Sequence, residues 1–378
     1  MTTGIRHAAG SLLVVGVSGT ELTGLERAWL RLIRPGGVIL FRRNIVDAAQ
    51  TRALIHEATS LSTAHPLCCV DVEGGTVDRL RDALAPLPSA QAVALAARKN
   101  QKLAHTHGEL IARAVAAFGF NVTLAPVLDL SLQASAAVMG TRTAGSTAAD
   151  VIAYARGFLA GLAAGGVAGC GKHFPGLGSG ALDSHHETPA INRAWRELWQ
   201  HDLAPYRELR KELPMVMIGH ASYPATRGGD VPASASPFWV TTVLRRRIGY
   251  CGLIFSDDLE MGGILHYLPM EEAAIAAVRA GLDTVEICHS PELILRAYEA
   301  LIREAERSGA FRRVLLARAG EARRKRARLP RPLAARALSA RHLDALRKRI
   351  LQFAESVTAC SGSKPAQRTA AASPVETA

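Results

Sequence analysis

Short apolar runs alternate with longer amphipathic stretches along most of this chain. The runs at 11–17, 37–41, 66–72, 122–130, 167–174, 215–221, 252–258 and 284–289 are apolar or β-branched almost throughout. Such continuity predicts strands buried on both faces, as in a parallel sheet. Between them, apolar positions recur at helical spacing near 21–34, 47–64, 100–118, 147–164, 193–212, 237–248, 271–281 and 291–309. Eight strands alternating with eight helices predict an α/β fold, a single (β/α)8 TIM-type barrel over residues 1–310. After residue 310 the alternation stops. Leu343, Leu346, Ile350, Phe353 and Val357 then fall at 3-4-3-4 spacing behind a Ser339 N-cap, one apolar stripe with Arg and Lys turned to water. Basic helices packed on the barrel are therefore expected over 311–360. The Ser, Ala, Pro and Thr composition of 361–378 reads as a disordered tail.

Composition changes this picture little. Of 378 residues, 48% are hydrophobic and 21% charged, enough apolar material for a large core. The net charge of +12 is local: 14 Lys or Arg and 2 Asp or Glu lie between Arg312 and Arg349, and the remainder is neutral. No aromatic interleaving accompanies that charge, so it reads as a solvated helical face and not as a nucleic-acid surface. The apolar run Leu12–Val17 is too short to span a membrane, and no cleavage pattern follows it. Six cysteines without a C-x-x-C pair argue for free thiols in a reducing compartment. The expectation is a soluble, cytoplasmic, monomeric protein with neither nucleic-acid nor membrane partners.

Chemistry-bearing residues gather at the C-terminal ends of the predicted strands: Asp71 and Glu73, Asp129, Lys172 and His173, His220, Asp257 and Asp258, Glu286 and His289. Active sites of such barrels occupy that face. The richest segment is KHFPGLGSGALDSHHETP, residues 172–189. Asp183 and His185 stand two apart on its Gly-rich loop, where a carboxylate can orient an imidazole and raise its pKa for general-acid work. His186 and Glu187 read as solvated decoration. At the end of the seventh strand, Asp257 or Asp258 can attack an anomeric carbon or bind a hydroxyl or metal. Neighbours in an extended strand point to opposite sides, so one of the two is expected to face the pocket, and the spacing does not say which.

The motif K-H-F-P-G-x-G-x-x-x-x-D-S-H-x-E-T-P and the later I-F-S-D-D-L-x-M resemble glycoside hydrolase family 3. Within it they are most similar to the short, single-barrel bacterial β-N-acetylglucosaminidases of peptidoglycan recycling. G-G-V-I-L-F-R-R-N at 36–44, V-D-V-E-G-G at 70–75, A-P-V-L-D-L at 125–130 and G-T-R-T at 140–143 extend the resemblance from about residue 10 to about 355. It implies a retaining exo-β-N-acetylglucosaminidase acting on a small N-acetylglucosamine-containing glycan without cofactor or metal. Asp257 would be the nucleophile and His185 the acid/base with Asp183 as dyad partner. Asp71, Arg79, Arg142, Lys172 and His173 would bind the non-reducing-end sugar. Four positions depart from the usual pattern: Leu177 replaces a His, Val72 a Gln, Thr76 an Arg, and Glu286 places a carboxylate where an apolar residue is common. Leu177 and Thr76 are expected to act on loop anchoring and aglycone preference.

Three other readings compete. A metal-dependent barrel hydrolase would use His173, His185, His220, His289 and Asp257 as ligands. A glycoside phosphorylase of the same family would accept phosphate in place of water. A non-catalytic nucleic-acid or envelope-associated protein would use the basic stretch.

Overall fold

The computed structural model describes residues 2–180, 188–332 and 339–361. Eight parallel strands close a barrel: β1 (Leu13–Val15), β2 (Gly37–Leu40), β3 (Leu67–Val70), β4 (Val122–Thr123), β5 (Ala168–Phe174), β6 (Met215–Ile218), β7 (Leu253–Asp258) and β8 (Thr284–Ile287). Each pairs with its sequence neighbours, and β1 joins β8 with Val14 opposite Glu286. The apolar runs are continuous because both faces of every strand are buried. Val14, Ile39, Cys69, Val122, Cys170, Met217 and Phe255 point inward and fill the barrel. Leu13, Val15, Leu40, Val70, Ile254 and Val285 point outward against the helices. The predicted fourth strand, 122–130, is cut to two residues; Pro126 lies within that run and has no N–H for a ladder.

The outer helices fall where the periodicity places them, with three refinements. The stretch 193–212 splits into Trp195–Gln200 and Ala204–Glu208, the second opening with Pro205. The stretch 237–248 is wound as a π-helix over Phe238–Arg247. Helices Thr2–Ser11 and Ala90–Ala97 were not expected from periodicity. Among the described residues no helix is long and apolar enough to cross a membrane, and all six cysteines are free thiols.

Two further helices, Gly309–Arg326 and Ala340–Ser361, follow the last barrel helix. Leu346, Ile350, Phe353 and Val357 are buried, and the Phe353 ring stacks on His107 at 5.8 Å. The basic stretch is not wholly a solvated face. Arg326 is buried and donates to the Ser11 carbonyl at 2.7 Å, and Lys325 pairs with buried Asp283 at 2.8 Å. These cations pin the helix Gly309–Arg326 to the N-terminal side of the barrel. The tail from residue 362 lies outside the described residues.

Candidate active site

Inward parity along each strand carries polar groups upward from the apolar fill. On β3, Leu67 and Cys69 lead to Asp71; on β5, Ala168 and Cys170 lead to Lys172. On β7, Leu253 and Phe255 lead to Asp257. These side chains line a cavity of about 220 Å³, closed at its base by Ile39, Leu124 and Met217. Asp71, Arg79, Arg142, Lys172, His173 and Asp257 all line it, although they come from segments up to 186 positions apart. Asp183 and His185 lie outside the described residues.

Parity alone misplaces two side chains. Asp258 lines the cavity beside Asp257, contrary to the expectation that only one of the pair would. The cause is a bulge between β7 and β8: Phe255 faces Thr284, but Asp258 faces Glu286, three residues against two. A matching irregularity between β5 and β6 sets Gly171 against Val216 and Phe174 against Ile218, and there Lys172 and His173 both reach the cavity. Bulges re-aim side chains in this way.

The β3–β5 side of the cavity is a closed network of paired charges. Arg142 Nε and Nη2 donate to the two Glu73 carboxylate oxygens at 2.9 Å each. Lys172 Nζ lies 2.7 Å from Glu73 Oε1 and 2.8 Å from Asp71 Oδ1. Burial alone would raise the Glu73 pKa, but Arg142 and Lys172 outweigh it and hold the carboxyl at about 2. Burial likewise disfavours charged Lys172, and Asp71 with Glu73 reverse that, so its pKa is raised. His173 Nδ1 bonds Asp129 Oδ2 at 2.7 Å, and Asp129 Oδ1 accepts the Leu177 N–H at 2.7 Å. That leaves His173 its other nitrogen for a ligand. Arg79 Nε and Nη1 are buried with no hydrogen-bond partner among the described residues.

The β7–β8 side is different. Asp257 Oδ1 accepts the Asp258 N–H at 3.0 Å. Burial, then the neighbouring Glu260 charge, pushes Asp258 up to about 8. Glu286, only 2% exposed and on inward parity, is pushed well up by burial and by Asp258, Asp71 and Asp257. Its Oε1 has no partner among the described residues. Burial, then Arg43 and Arg79, lowers His289 to about 4, so the imidazole is neutral at pH 7. Glu260 is a cavity residue that sequence patterning missed; its Oε1 accepts the Ser290 N–H at 2.7 Å, a loop contact with no periodic signal.

The ligand set read for a metal hydrolase is not brought together by its described members. His173, His289 and Asp257 line the cavity, but among the described residues no group of three candidate ligand atoms includes His173 or Asp257. His220 lies away from the cavity lining, with Nδ1 against Ser234 Oγ at 2.8 Å and Nε2 donating to the Asp258 carbonyl at 2.9 Å. It braces the backbone beside Asp257.

A barrel whose carboxylates and cations converge on a cavity at the strands' C-terminal ends is the architecture of a barrel enzyme. Comparison with known proteins agrees. The profile of the glycosyl hydrolase family 3 N-terminal domain matches residues 5–315. The β-hexosaminidase of Alkalilimnicola ehrlichii is 40% identical over 287 residues, 75% of this chain and 82% of its own. The structure of Neisseria gonorrhoeae NagZ in complex with N-trifluoroacetyl-D-glucosamine aligns at TM-score 0.76 and 30% identity, covering 91% of this chain and 98% of that one. A family 3 β-N-acetylglucosaminidase from Paenibacillus sp. FPU-7 aligns at TM-score 0.81 and 29% identity, covering 92% of this chain and 68% of that one. The chain belongs to glycoside hydrolase family 3. It is a glycoside hydrolase, similar to the β-hexosaminidases of that family.

Proposed function

We propose that this enzyme is a retaining exo-β-N-acetylglucosaminidase that removes non-reducing terminal β-1,4-linked N-acetylglucosamine from muropeptide fragments or chitooligosaccharides. The reading is carried by the meeting of Asp257 with Asp71, Arg79, Lys172 and His173 on one cavity closed at its base. A closed base favours the end of a glycan over its middle. The β-hexosaminidase relatives and the sugar-bound Neisseria neighbour support the same substrate class.

Asp257 attacks the anomeric carbon while His185 protonates the departing oxygen; neutral His185 then activates water against the glycosyl-enzyme. Asp183 orients the imidazole. Asp71 accepts from sugar hydroxyls, and Arg79, Lys172 and the free nitrogen of His173 contact them from fixed positions. Arg142 acts through Glu73, whose two oxygens it holds in place. The enzyme works in the cytoplasm, a reading supported by its free cysteines.

Hydrolysis of a chromogenic N-acetyl-β-glucosaminide beside the matching β-glucoside, with and without phosphate, tests the substrate and the acceptor. Activity on neither glycoside overturns the proposal, and turnover that requires phosphate converts it to a phosphorylase. A labelled 2-fluoro sugar should be trapped on Asp257. His185→Ala should damage substrates with basic leaving groups far more than activated aryl glycosides, with partial rescue by azide. Equal loss on both, without rescue, removes His185 from the acid/base role.

A further inference from the structure

Among the described residues, one group of potential metal ligands converges: the Asp258 carboxylate, the Cys288 thiol and the His289 imidazole, with ligand atoms all within 4.8 Å of one another. β7 supplies the first, and the chain leaving β8 supplies the other two. The Cys288 thiol and the Asp258 carboxylate thus lie side by side, and His289 Nε2 lies 3.8 Å from Asp258 Oδ2. Tetrahedral zinc with such ligands needs donor atoms about 3.3–3.8 Å apart, within reach of small side-chain rotations. The surroundings favour a cation: Glu260 Oε2 and Glu286 Oε1 are buried beside the group without hydrogen-bond partners among the described residues. Arg43, whose Nη2 donates to the Cys288 carbonyl at 2.9 Å, and Arg79 are nearby opposing charges.

We propose that Asp258, Cys288 and His289 form a zinc site on the wall of the substrate cavity, and that zinc held there inhibits the enzyme. A thiolate, an imidazole and a carboxylate suit a borderline-soft divalent ion and disfavour magnesium or calcium. Binding releases to solvent the Cys288 proton and, below about pH 8, the proton that Asp258 holds. The thiolate and carboxylate then cancel the ion's two charges, and the fourth position stays open to water. Inhibition follows from place: Asp258 adjoins Asp257 and donates its N–H to that carboxylate, so the ion stands against the space a sugar must fill. Binding is independent of the sugar assignment; the inhibition rests on it.

Equilibrium dialysis of the full-length protein against zinc should show one saturable ion per chain, and cobalt substitution should give thiolate-to-metal charge-transfer absorption. Cys288→Ser should abolish that absorption. His289→Asn should weaken zinc at least about tenfold, the scale on which even outer-shell partners change metal affinity. Melting curves establish that both variants fold, and Cys288→Ala provides a second variant where serine does not. Zinc should slow hydrolysis of the chromogenic glycoside in a chelator-reversible manner, with a weaker effect in either variant. The proposal is overturned by no saturable binding, by a cobalt spectrum without a thiolate band, or by zinc affinity unchanged in both variants. The last outcome places the ion elsewhere, for example on the His-rich 181–187 segment.

Discussion

The two sides of the cavity solve the problem of buried charge in opposite ways. On the β3–β5 side Asp71 and Glu73 pair with buried cations, and Glu73 is held at about 2 by Arg142 and Lys172. On the β7–β8 side Asp258 is pushed up to about 8 and Glu286 well above its ordinary value, because burial and neighbouring carboxylates disfavour further negative charge. The first side is a fixed scaffold of full charges, suited to orienting hydroxyls. The second keeps its acids partly neutral around Asp257, so that charge changes there during a reaction need little rearrangement. Polarity alone does not distinguish them; pairing does.

The sharpest test separates chemistry from architecture. Asp257→Ala should lower turnover by at least about a thousandfold, as loss of a nucleophile does, while leaving the melting curve near that of the wild type. Unfolding of this variant would show that the second side is also scaffold. Glu73→Gln should do the reverse in stability. It leaves Arg142 and Lys172 buried with their shared anion removed, a loss of about 3–5 kcal/mol measurable by urea denaturation. A cost below about 1 kcal/mol would mean that the network is not a structural unit.

pH sharpens the contrast further. Glu73, with its folded pKa lowered from 4.5 to about 2, contributes stability that is present above pH 4.5 and lost as pH falls toward 2. Asp258, raised from 3.8 to about 8, contributes stability that is full below pH 3.8 and lost as pH rises through 8. Asp258→Asn should therefore gain on the wild type as pH rises from 4 to 8, read from denaturation midpoints across that range. Parallel curves would remove Asp258 as a perturbed acid. The smallest effect belongs to Glu286→Gln, an isostere of an acid that burial and neighbouring carboxylates push toward its neutral form, expected within about 0.5 kcal/mol of the wild type. A large loss would show that Glu286 is charged and paired like Glu73.

Much of the barrel was legible because its signal is local. A strand buried on both faces must be apolar at every position, and inward parity counted up β3, β5 and β7 reaches Asp71, Lys172 and Asp257. The family motifs carried the candidate roles, including Asp183 and His185, which lie outside the described residues. The stripe from Leu346 to Val357 was legible for the same reason, since helical spacing puts its members on one face. Buried Arg326 and the loop carboxylate Glu260 were not legible, because nothing periodic marks a cation or a carboxylate that finds its partner in a distant segment.

Sequence by itself determined the class of fold, the end of the barrel where polar groups collect, and the residue types available there. All of these follow from which neighbours along the chain must avoid water. Tertiary structure decided the pairing of Arg142 with Glu73 across 69 positions, the bracing of Asp258 by His220 across 38, and the two bulges that turn adjacent residues into one cavity. It also decided which carboxyls are charged. Protonation depends on burial and on the nearest opposite charge, and both exist only once the barrel has closed.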